Sequence, residues 1–200
     1  MTTTRDLVYT GFMSLDGVFD SPGASSEGHR NGGWVLQAEF VPEAFSLKDE
    51  ELAETSALLF GRRSYEAFSA FWPGSAEHEP YRDIPKYVVS TTLGEDALVD
   101  GWGPTTILRS LDEVAALKRE AGGAIFVHGS TELARSLADA GLIDRYNLLV
   151  FPVLIGPGKS AFGSAEHGTQ RLHLRESATY PNGVTKLCYD VAPAGAEVAA

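Results

Sequence analysis

The sequence predicts an α/β fold, with helices on both faces of a mostly parallel central sheet and an antiparallel edge at its C-terminal end. Short continuous apolar runs at 57–60 and 124–127 are typical of strands buried on both faces. Segments with helical spacing separate these runs, which is the order expected of a parallel sheet. The strand-like segments 172–174 and 185–190 follow each other without a helix, so they predict the antiparallel edge.

The first half of the chain alternates strands and helices and contains one long loop. The predicted elements are a strand at 7–15, a loop at 20–33, helix over most of 34–55, a strand at 57–60 and a helix at 62–71. Asp16-Gly17 is a strong turn signal at the end of the first strand. The loop is rich in Gly and Ser, and loops of this length often cover binding sites.

The second half continues the alternation and closes with two strands. Strands are predicted at 86–91, 105–108, 124–127, 146–155, 172–174 and 185–190, and helices at 111–121 and 131–140. Ser110 and Glu113 form a capping box that starts the first of these helices, and Gly122-Gly123 ends it. No repeat or linker is present, so residues 1–191 are predicted to form one domain, followed by a disordered tail at 192–200.

The composition excludes several classes of protein. The chain has 200 residues, 16 Lys+Arg, 27 Asp+Glu, a net charge of −11, 44% hydrophobic residues and 22% charged residues. These proportions fit a folded globular domain, and the acidity argues against nucleic acid as a partner, because phosphate backbones require a basic face. A small phosphorylated ligand needs only a few local cations. Without a membrane-spanning apolar stretch or a signal peptide, we expect a cytoplasmic protein with no membrane partner.

Neither a disulfide nor a metal site is predicted. Cys188 is the single cysteine, which excludes an intramolecular disulfide and a zinc site built on several thiolates. The histidines are not spaced as a metal-binding pair. They are His29, His78, His128, His167 and His173.

Three predicted strands end in small or hydroxyl-bearing residues that lead into a helix or a loop. The three segments are 60–64, 89–92 and 127–131. Ligands of open α/β sheets bind beyond the carboxyl ends of strands, and helix N-termini attract phosphate. One such segment alone is more often a simple turn with a helix cap. Three at one edge, with Arg62 and Arg63 in an acidic chain, favour a dinucleotide site.

Other nucleotide-binding motifs are incomplete. The segment 156–160 (Gly-Pro-Gly-Lys-Ser) ends like a Walker A loop, but Val153 stands where the first glycine of that motif belongs. The acidic residue that completes a dinucleotide-binding βαβ unit is also missing after this segment. A turn after the long strand is the better interpretation.

Three single residues have two interpretations each. Asp16 either transfers a proton near a bound substrate or belongs to an Asp-Gly turn. Trp34 is either the flat wall of a pocket or a core aromatic residue. His128 is either a strand-end residue or a ligand contact.

Several motifs between about residue 6 and residue 190 resemble, in order and spacing, those of a known family. They are 13–17 (Met-Ser-Leu-Asp-Gly), 59–65 (Leu-Phe-Gly-Arg-Arg-Ser-Tyr), 88–91 (Val-Val-Ser-Thr), 108–113 (Leu-Arg-Ser-Leu-Asp-Glu), 127–133 (Val-His-Gly-Ser-Thr-Glu-Leu) and 144–158. Together they resemble the dihydrofolate reductase superfamily, in particular its branch of stand-alone reductases similar to the reductase domain of the riboflavin-biosynthesis deaminase-reductase. The resemblance implies a dihydrofolate-reductase-like three-layer fold, an oxidoreductase and a homodimer.

The resemblance also implies hydride transfer from NADPH to a small heterocyclic or carbonyl-type substrate. The implied cofactor contacts are Gly61, Arg63 and Ser64 at the pyrophosphate, Arg62, Ser90, Thr91 and Arg109 around the 2′-phosphate, and Gly129, Ser130, Thr131 and Glu132 at the nicotinamide-side phosphate and ribose. Arginines and hydroxyls suit a phosphate better than a ribose diol, which favours NADPH over NADH. On the substrate side, the implied catalytic residue is Asp16, and the substrate ring is held between Trp34 and the strand around Phe151 and Pro152.

The sequence departs from the family pattern in several places. Glu39 and Glu43 lie in the helix where dihydrofolate reductases carry an acid that faces the pterin, but neither can be assigned to that position. The deaminase zinc signature needs paired cysteines, so a reductase domain alone is predicted. No cationic cluster for a ribosyl phosphate stands out, although Lys159 could contribute. The alternatives are an NADPH-binding protein without turnover and a flavodoxin-like domain with a different sheet order.

Overall fold

The computed structural model describes residues 4–24, 28–162 and 169–193. In these ranges the strands are β1 Leu7–Ser14, β2 Thr55–Gly61, β3 Lys86–Val89, β4 Thr105–Leu108, β5 Ala124–Val127, β6 Arg145–Phe151, β7 Leu172–Thr179 and β8 Thr185–Val191. The helices are α1 Pro42–Glu54, α2 Arg62–Ser69, α3 Leu111–Lys118 and α4 Thr131–Asp139. Short 3-10 helices at Trp34–Gln37, Trp72–Gly74, Ala76–Tyr81 and Glu95–Ala97 lie in the connections.

The described strands form one sheet in the order β4-β3-β2-β5-β1-β6-β8-β7. Strands β1 to β6 pair in parallel, whereas β8 is antiparallel to β6 and β7 is antiparallel to β8. The predicted mostly parallel sheet with an antiparallel C-terminal edge is therefore confirmed. A flavodoxin-like sheet has the order 2-1-3-4-5, so that alternative is wrong.

The helices cover both faces of the sheet, because successive residues of a strand point to opposite sides. Leu7 packs in the apolar cluster that includes residues of α3 and α4, whereas its neighbour Val8 packs in the cluster with Tyr65 of α2. On β6, Leu148 lies in the α3–α4 cluster and Leu149 lies in the cluster with residues of α1. Helices α3 and α4 thus form one outer layer, and α1 and α2 form the other.

A proline shortens two of the predicted elements. Helix α1 begins at Pro42 because proline fits the first helical turn and keeps the preceding residue extended; Val41 has φ −121° and ψ 106°. Strand β6 ends at Phe151 because Pro152 has no N–H to donate to a neighbouring strand. Residues 194–200 of the predicted tail lie outside the described residues. No helix in the described ranges is long and apolar enough to cross a membrane.

The predicted capping box of α3 is present with one difference. The Ser110 hydroxyl accepts from the N–H of Glu113 at 3.3 Å, as expected. The Glu113 carboxylate accepts from the N–H of Arg109 at 2.7 Å instead of from the N–H of Ser110. The cap therefore also fixes the backbone of Arg109 directly after β4.

Candidate functional site

The six parallel strands end at one edge of the sheet, and two of the predicted phosphate segments meet there. The N–H of Gly61, at the end of β2, donates to the carbonyl oxygen of Gly129, after β5, at 2.8 Å. Helix α2 begins directly after Gly61, and helix α4 begins after Ser130. We call residues 61–64 together with 129–132 the helix junction, because the first turns of both helices lie side by side in it.

Neither glycine of the helix junction has room for a side chain. A Cβ on Gly61 would lie 2.7 Å from Ser130 Oγ, and a Cβ on Gly129 would lie 2.6 Å from Ser64 Oγ. Gly129 also has a φ of +104°, which side chains rarely adopt. The peptide bond between Gly129 and Ser130 is cis. The junction thus presents bare backbone at the edge of the sheet.

The two helix starts differ in how their first amides are used. Ser130 caps α4, since its hydroxyl accepts from the N–H of Leu133 at 3.3 Å. Gly61 caps α2 and has no side-chain acceptor, so a ligand can reach the first amides of α2 and their partial positive charge. In the first turn of α4, Thr131 is buried and Glu132 is exposed.

The two arginines at the start of α2 have different surroundings. The Arg62 guanidinium donates from Nε to Glu66 at 2.7 Å and from Nη1 to Thr92 Oγ1 at 2.9 Å. It is therefore held across the gap between the ends of β2 and β3. Arg63 is exposed and makes no hydrogen bond or ion pair with any residue in the described ranges.

The third predicted segment, after β3, is a turn that two predicted cofactor contacts help to build. The Ser90 hydroxyl accepts from the N–H groups of Thr92 and Leu93 at 3.2 and 3.0 Å. Arg109 Nη1 donates to the carbonyl oxygens of Ser90 and Leu93 at 2.9 and 2.7 Å. Thr91 is exposed. Ser90 and one nitrogen of Arg109 are thus engaged within the protein, while Thr91 faces solvent.

Asp16 ties the turn after β1 to the segment after β6. Its carboxylate accepts from the Ser14 hydroxyl at 2.5 Å and from the N–H groups of Ile155 and Gly156 at 3.1 and 2.8 Å. The Ser14 hydrogen bond and the two backbone hydrogen bonds hold the pKa of Asp16 below its ordinary value, against a smaller effect of burial. These hydrogen bonds are those of the turn interpretation, and proton transfer by Asp16 stays a prediction.

Trp34 and Phe151, which are predicted to flank the substrate ring, pack directly against each other. The two buried rings touch edge to face, with centroids 5.5 Å apart, and Trp34 Nε1 donates to the Asp20 carbonyl oxygen at 2.9 Å. No ring fits between them in this arrangement, since both are buried in the core, and their role as substrate contacts stays a prediction. Pro152 is exposed and lies against the β7–β8 turn, where a Cβ on Gly183 would be 3.1 Å from its Cγ.

An open cleft of about 550 Å³ lies beyond the ends of β1 and β6. We call it the β1–β6 cleft. It is lined by Arg30, Asn31, Gly32, Trp34, Gln37, Val153, Leu154 and Ile155. Trp34 is thus a buried core residue that also forms part of the wall of the cleft.

His128 lies in a group of aromatic side chains whose proximity was not predicted from the sequence. Its ring centroid is 6.0 Å from that of Phe60, 5.7 Å from that of Trp72 and 6.1 Å from that of Tyr81. The half-buried imidazole makes no hydrogen bond to any side chain or backbone group in the described ranges. Burial, with smaller effects of the Lys48 and His78 charges, lowers the pKa of His128 to about 3. The ring is therefore neutral at physiological pH and available to a ligand.

The acid of α1 that faces the sheet is Glu51, which the sequence did not single out. Its carboxylate accepts from Thr10 Oγ1 at 2.7 Å, from Asn147 Nδ2 at 3.0 Å and from Lys48 Nζ at 2.9 Å. The partners come from β1, β6 and α1, and this separation in sequence explains why no local motif reveals them. Glu39 and Glu43 are exposed instead. Among the residues that the structure describes, no three His, Cys, Asp or Glu side chains lie close enough to hold a metal ion.

The chain resembles known proteins over most of its length. The model of the RibD C-terminal domain family matches residues 5–186. "Uncharacterized protein YyaP" of Bacillus subtilis (strain 168) is 26% identical over 147 residues, which cover 69% of this chain and 75% of that protein. A solved structure from Shewanella sp. PV-4, named for riboflavin biosynthesis, has a TM-score of 0.74 at 19% identity and covers 94% of this chain and 100% of its own. Enterococcus faecalis dihydrofolate reductase, complexed with NADP(H), has a TM-score of 0.61 at 13% identity, with 94% and 97% covered. These likenesses confirm the dihydrofolate-reductase-like fold.

Proposed function

The chain belongs to the RibD C-terminal domain family, a reductase-like family, and from this premise we propose that it is an NADPH-dependent reductase of a small heterocyclic or carbonyl-type substrate. The observation that carries the proposal is the helix junction. Gly61 and Gly129 leave bare backbone there, and Arg62 and Arg63 of the same junction add two positive charges. Accessible backbone at a helix start and two arginines form a local site for a dinucleotide phosphate in a chain that is acidic as a whole.

The residues of the helix junction fit the pyrophosphate of NADPH. The first amides of α2 have no side-chain cap, and the helix N-terminus favours an anion. Arg63 has no competing ion pair in the described ranges, and the Ser64 hydroxyl lies where a Cβ on Gly129 would contact it. When bound, NADPH supplies a hydride; the protein's part is to hold the phosphates and orient the dinucleotide across the edge of the sheet.

The gap between β2 and β3 fits the 2′-phosphate. Arg62 uses two of its five N–H groups on Glu66 and Thr92, and the other three can bind a phosphate from a fixed position. Thr91 adds an exposed hydroxyl. Arg109 uses only Nη1 for its hydrogen bonds to the backbone, so the N–H groups on its other two nitrogens are available to a phosphate. This set supports NADPH over NADH, because a guanidinium recognises a phosphate better than a ribose diol.

On the substrate side, we assign the contact with the reacting ring to His128 and the aromatic side chains around it. A neutral imidazole without a protein partner can donate or accept one hydrogen bond, and Trp72 and Tyr81 offer flat apolar surfaces. Asp16 then acts as a positioning residue. Its three hydrogen bonds fix the loop after β1 and the segment after β6, which together border the β1–β6 cleft.

We also propose a homodimer, and the exposed end of the sheet supports it. Leu172 and Leu174 of β7 pair with Val191 and Tyr189 of β8, which puts these four apolar side chains on one face. Leu172 and Leu174 are 41% and 57% exposed, and exposed apolar strands are typical of interfaces. Light scattering of the native chain should give twice the monomer mass, and L172D/L174D should give the monomer. A monomeric native chain would exclude the dimer.

Titration with NADPH and NADH tests the proposed cofactor. We expect quenching of tryptophan fluorescence and a rise in melting temperature with micromolar NADPH, since ligand at 100 times Kd adds about 2.7 kcal/mol of stability. Absence of both signals at millimolar NADPH would remove the proposal. A panel of pterins, pyrimidines and quinones then tests turnover. NADPH binding without oxidation by any of them would favour the non-catalytic alternative.

A further inference from the structure

Lys48 of α1 is held over β1 by two buried side chains. Its ammonium group donates to Thr10 Oγ1 at 2.5 Å and to Glu51 Oε2 at 2.9 Å. Thr10 in turn donates to Glu51 Oε1 at 2.7 Å. Thr10 and Glu51 are 4% and 3% exposed, whereas the Lys48 side chain is 23% exposed. The ammonium group is therefore fixed by buried partners on a side chain that still reaches solvent.

The register of the sheet puts Thr10 beside His128, the proposed contact with the substrate ring. Strands β1 and β5 pair in parallel with Tyr9 opposite Val127, so Thr10 and His128 come next on their two strands. Both side chains lie on the face that α1 and α2 cover, because Thr10 bonds to α1 and the His128 ring packs against aromatic side chains of and after α2. The positive charge of Lys48 also contributes to the lowered pKa of His128. Lys48 and His128 therefore border the same space.

One N–H group of Lys48 is left for a ligand. A lysine ammonium has three donors, and within the described ranges Thr10 and Glu51 accept from two of them. Lys48 Nζ also lies 5.2 Å from the centre of the Phe12 ring. Phe12 is half-buried and follows Thr10 on the same side of β1, toward the edge where the parallel strands end. A flat substrate at this edge would thus have a cation at its inner end.

Lys48 brings an acidic proton to a place where His128 brings none. The His128 ring is neutral at physiological pH, and a neutral imidazole is a very weak acid. An ammonium group can stabilise negative charge on a nearby atom and can then transfer a proton to it. Reduction of a C=O or C=N bond needs such a group, because the oxygen or nitrogen gains an electron pair.

We propose that Lys48 is the proton donor of the reduction and that Thr10 and Glu51 are its positioning residues. The proposal rests on the proposed function, which puts hydride transfer beside His128. As a hydride from the bound cofactor forms the new C–H bond, the electron pair of the C=O or C=N bond moves to the oxygen or nitrogen. That atom takes a proton from Lys48 Nζ. Lys48 is left as a neutral amine and regains a proton from water at its exposed side.

Binding of 4-nitrophenol tests the site without turnover. Its phenolate has a negative oxygen like the one that develops on a carbonyl substrate, and it absorbs at a longer wavelength than the neutral phenol. The probe is titrated into the full chain, saturated with NADP⁺, at a pH just below the pKa of the free phenol. We expect the native chain to bind it and to raise the fraction of phenolate.

Lys48→Met should weaken binding of the probe about ten-fold or more and abolish the rise in phenolate. Lys118→Met is the matched control, because it removes a lysine that is paired with Asp144 in the opposite helix layer, and it should behave like the native chain. If Lys48→Met is unstable because Glu51 loses its cation, the double variant Lys48→Met/Glu51→Gln neutralises both groups and should show the same loss. No binding to the native chain, or native behaviour of the Lys48 variants, would overturn the proposal.

Lys48→Arg separates the proton from the charge. Arginine keeps a positive charge but does not deprotonate in proteins. The variant should still bind 4-nitrophenolate, and its kcat for a substrate that the native chain reduces should fall about a hundred-fold or more. A kcat close to that of the native chain would exclude Lys48 as the proton donor. A native chain that does not bind NADP⁺ or NADPH would instead remove the proposed function, whereas binding of the cofactor without binding of the probe would remove only the assignment of Lys48.

Discussion

Gly61 and Gly129 are joined by a backbone hydrogen bond of 2.8 Å between segments that lie 68 positions apart in the chain. This bond sets the first turns of α2 and α4 beside each other. In the proposed complex with NADPH, both helix starts lie beside the pyrophosphate, and their partial positive charges add. The spacing of the proposed pyrophosphate site thus depends on two residues that have no side chain.

The first prediction concerns Gly129→Ala. The added Cβ would lie 2.6 Å from Ser64 Oγ, and φ +104° is unfavourable for alanine, so the junction must open. We expect a loss of about 1–3 kcal/mol in stability and at least ten-fold weaker NADPH binding, measured by thermal denaturation and calorimetry.

Gly141→Ala is the matched control for this change. Gly141 also has a positive φ, +65°, but an added Cβ would have nothing within 4 Å. It should lose stability through backbone strain and keep its NADPH affinity. If both variants lose affinity equally, the helix junction is not the cofactor site.

The second prediction concerns Arg62→Ala. If Arg62 faces the 2′-phosphate, its removal should weaken NADPH binding by about ten- to hundred-fold, because charged hydrogen bonds contribute about 1.5–3 kcal/mol. NADH, which lacks that phosphate, should lose less than about two-fold. Arg82→Ala, which removes another exposed arginine paired with a glutamate, should leave both affinities unchanged. An equal loss for both cofactors would place Arg62 away from the 2′-phosphate.

Features that depend on a few neighbouring residues could be predicted from the sequence. The capping box of Ser110 and Glu113 spans four residues, and the structure contains it. The end of β2 at Gly61 and the end of β5 two residues before Gly129 can also be recognised locally, because a buried apolar run stops at or near a glycine. The parallel sheet could also be predicted from local signals, because each short apolar run is followed by a recognisable helix or turn.

Features that depend on distant partners could not be predicted. Asp16 receives hydrogen bonds from Ile155 and Gly156, about 140 positions away. These bonds support the interpretation of Asp16 as a turn residue, and no local motif reveals them. Trp34 and Phe151 are both aromatic at a strand end or loop, which fits a pocket wall as well as a core pair. Their contact as a core pair is visible only in the structure.

The third prediction concerns Asp16→Asn. Because the pKa of Asp16 is lowered from 3.8 in the folded state, its contribution to stability is complete above that value and is lost as pH falls through the lower folded pKa. We expect the variant to be less stable than the native chain at pH 7 by less than about 1 kcal/mol, because solvent screens an exposed carboxylate, and the difference should shrink at pH 3 and below.

Kinetics of Asp16→Asn separate positioning from proton transfer. A positioning role predicts a higher KM, a kcat within about three-fold of native, and an unchanged pH profile of kcat. Asp100→Asn, at an exposed residue without a side-chain hydrogen bond in the described ranges, should behave like the native chain. A collapse of kcat without a change in stability would instead make Asp16 the proton donor.

The fourth prediction concerns the acid stability of the fold and His128. An unfolded histidine takes up a proton near pH 6.5, but partial burial, with smaller effects of the Lys48 and His78 charges, lowers the pKa of His128 in the folded chain to about 3. The unfolded chain therefore binds one more proton between these values. The free energy of unfolding must then fall as pH decreases from about 6.5 toward 3, by at most about 1.4 kcal/mol per pH unit from this group.

His128→Gln removes the group that binds this proton. The variant should show a flatter dependence of unfolding free energy on pH, measured with urea between pH 4 and 7. His173→Gln, the same change on the exposed strand β7, is the control variant. If His128→Gln retains the native slope, folding does not lower the pKa of His128, and the buried environment assigned to its ring is wrong.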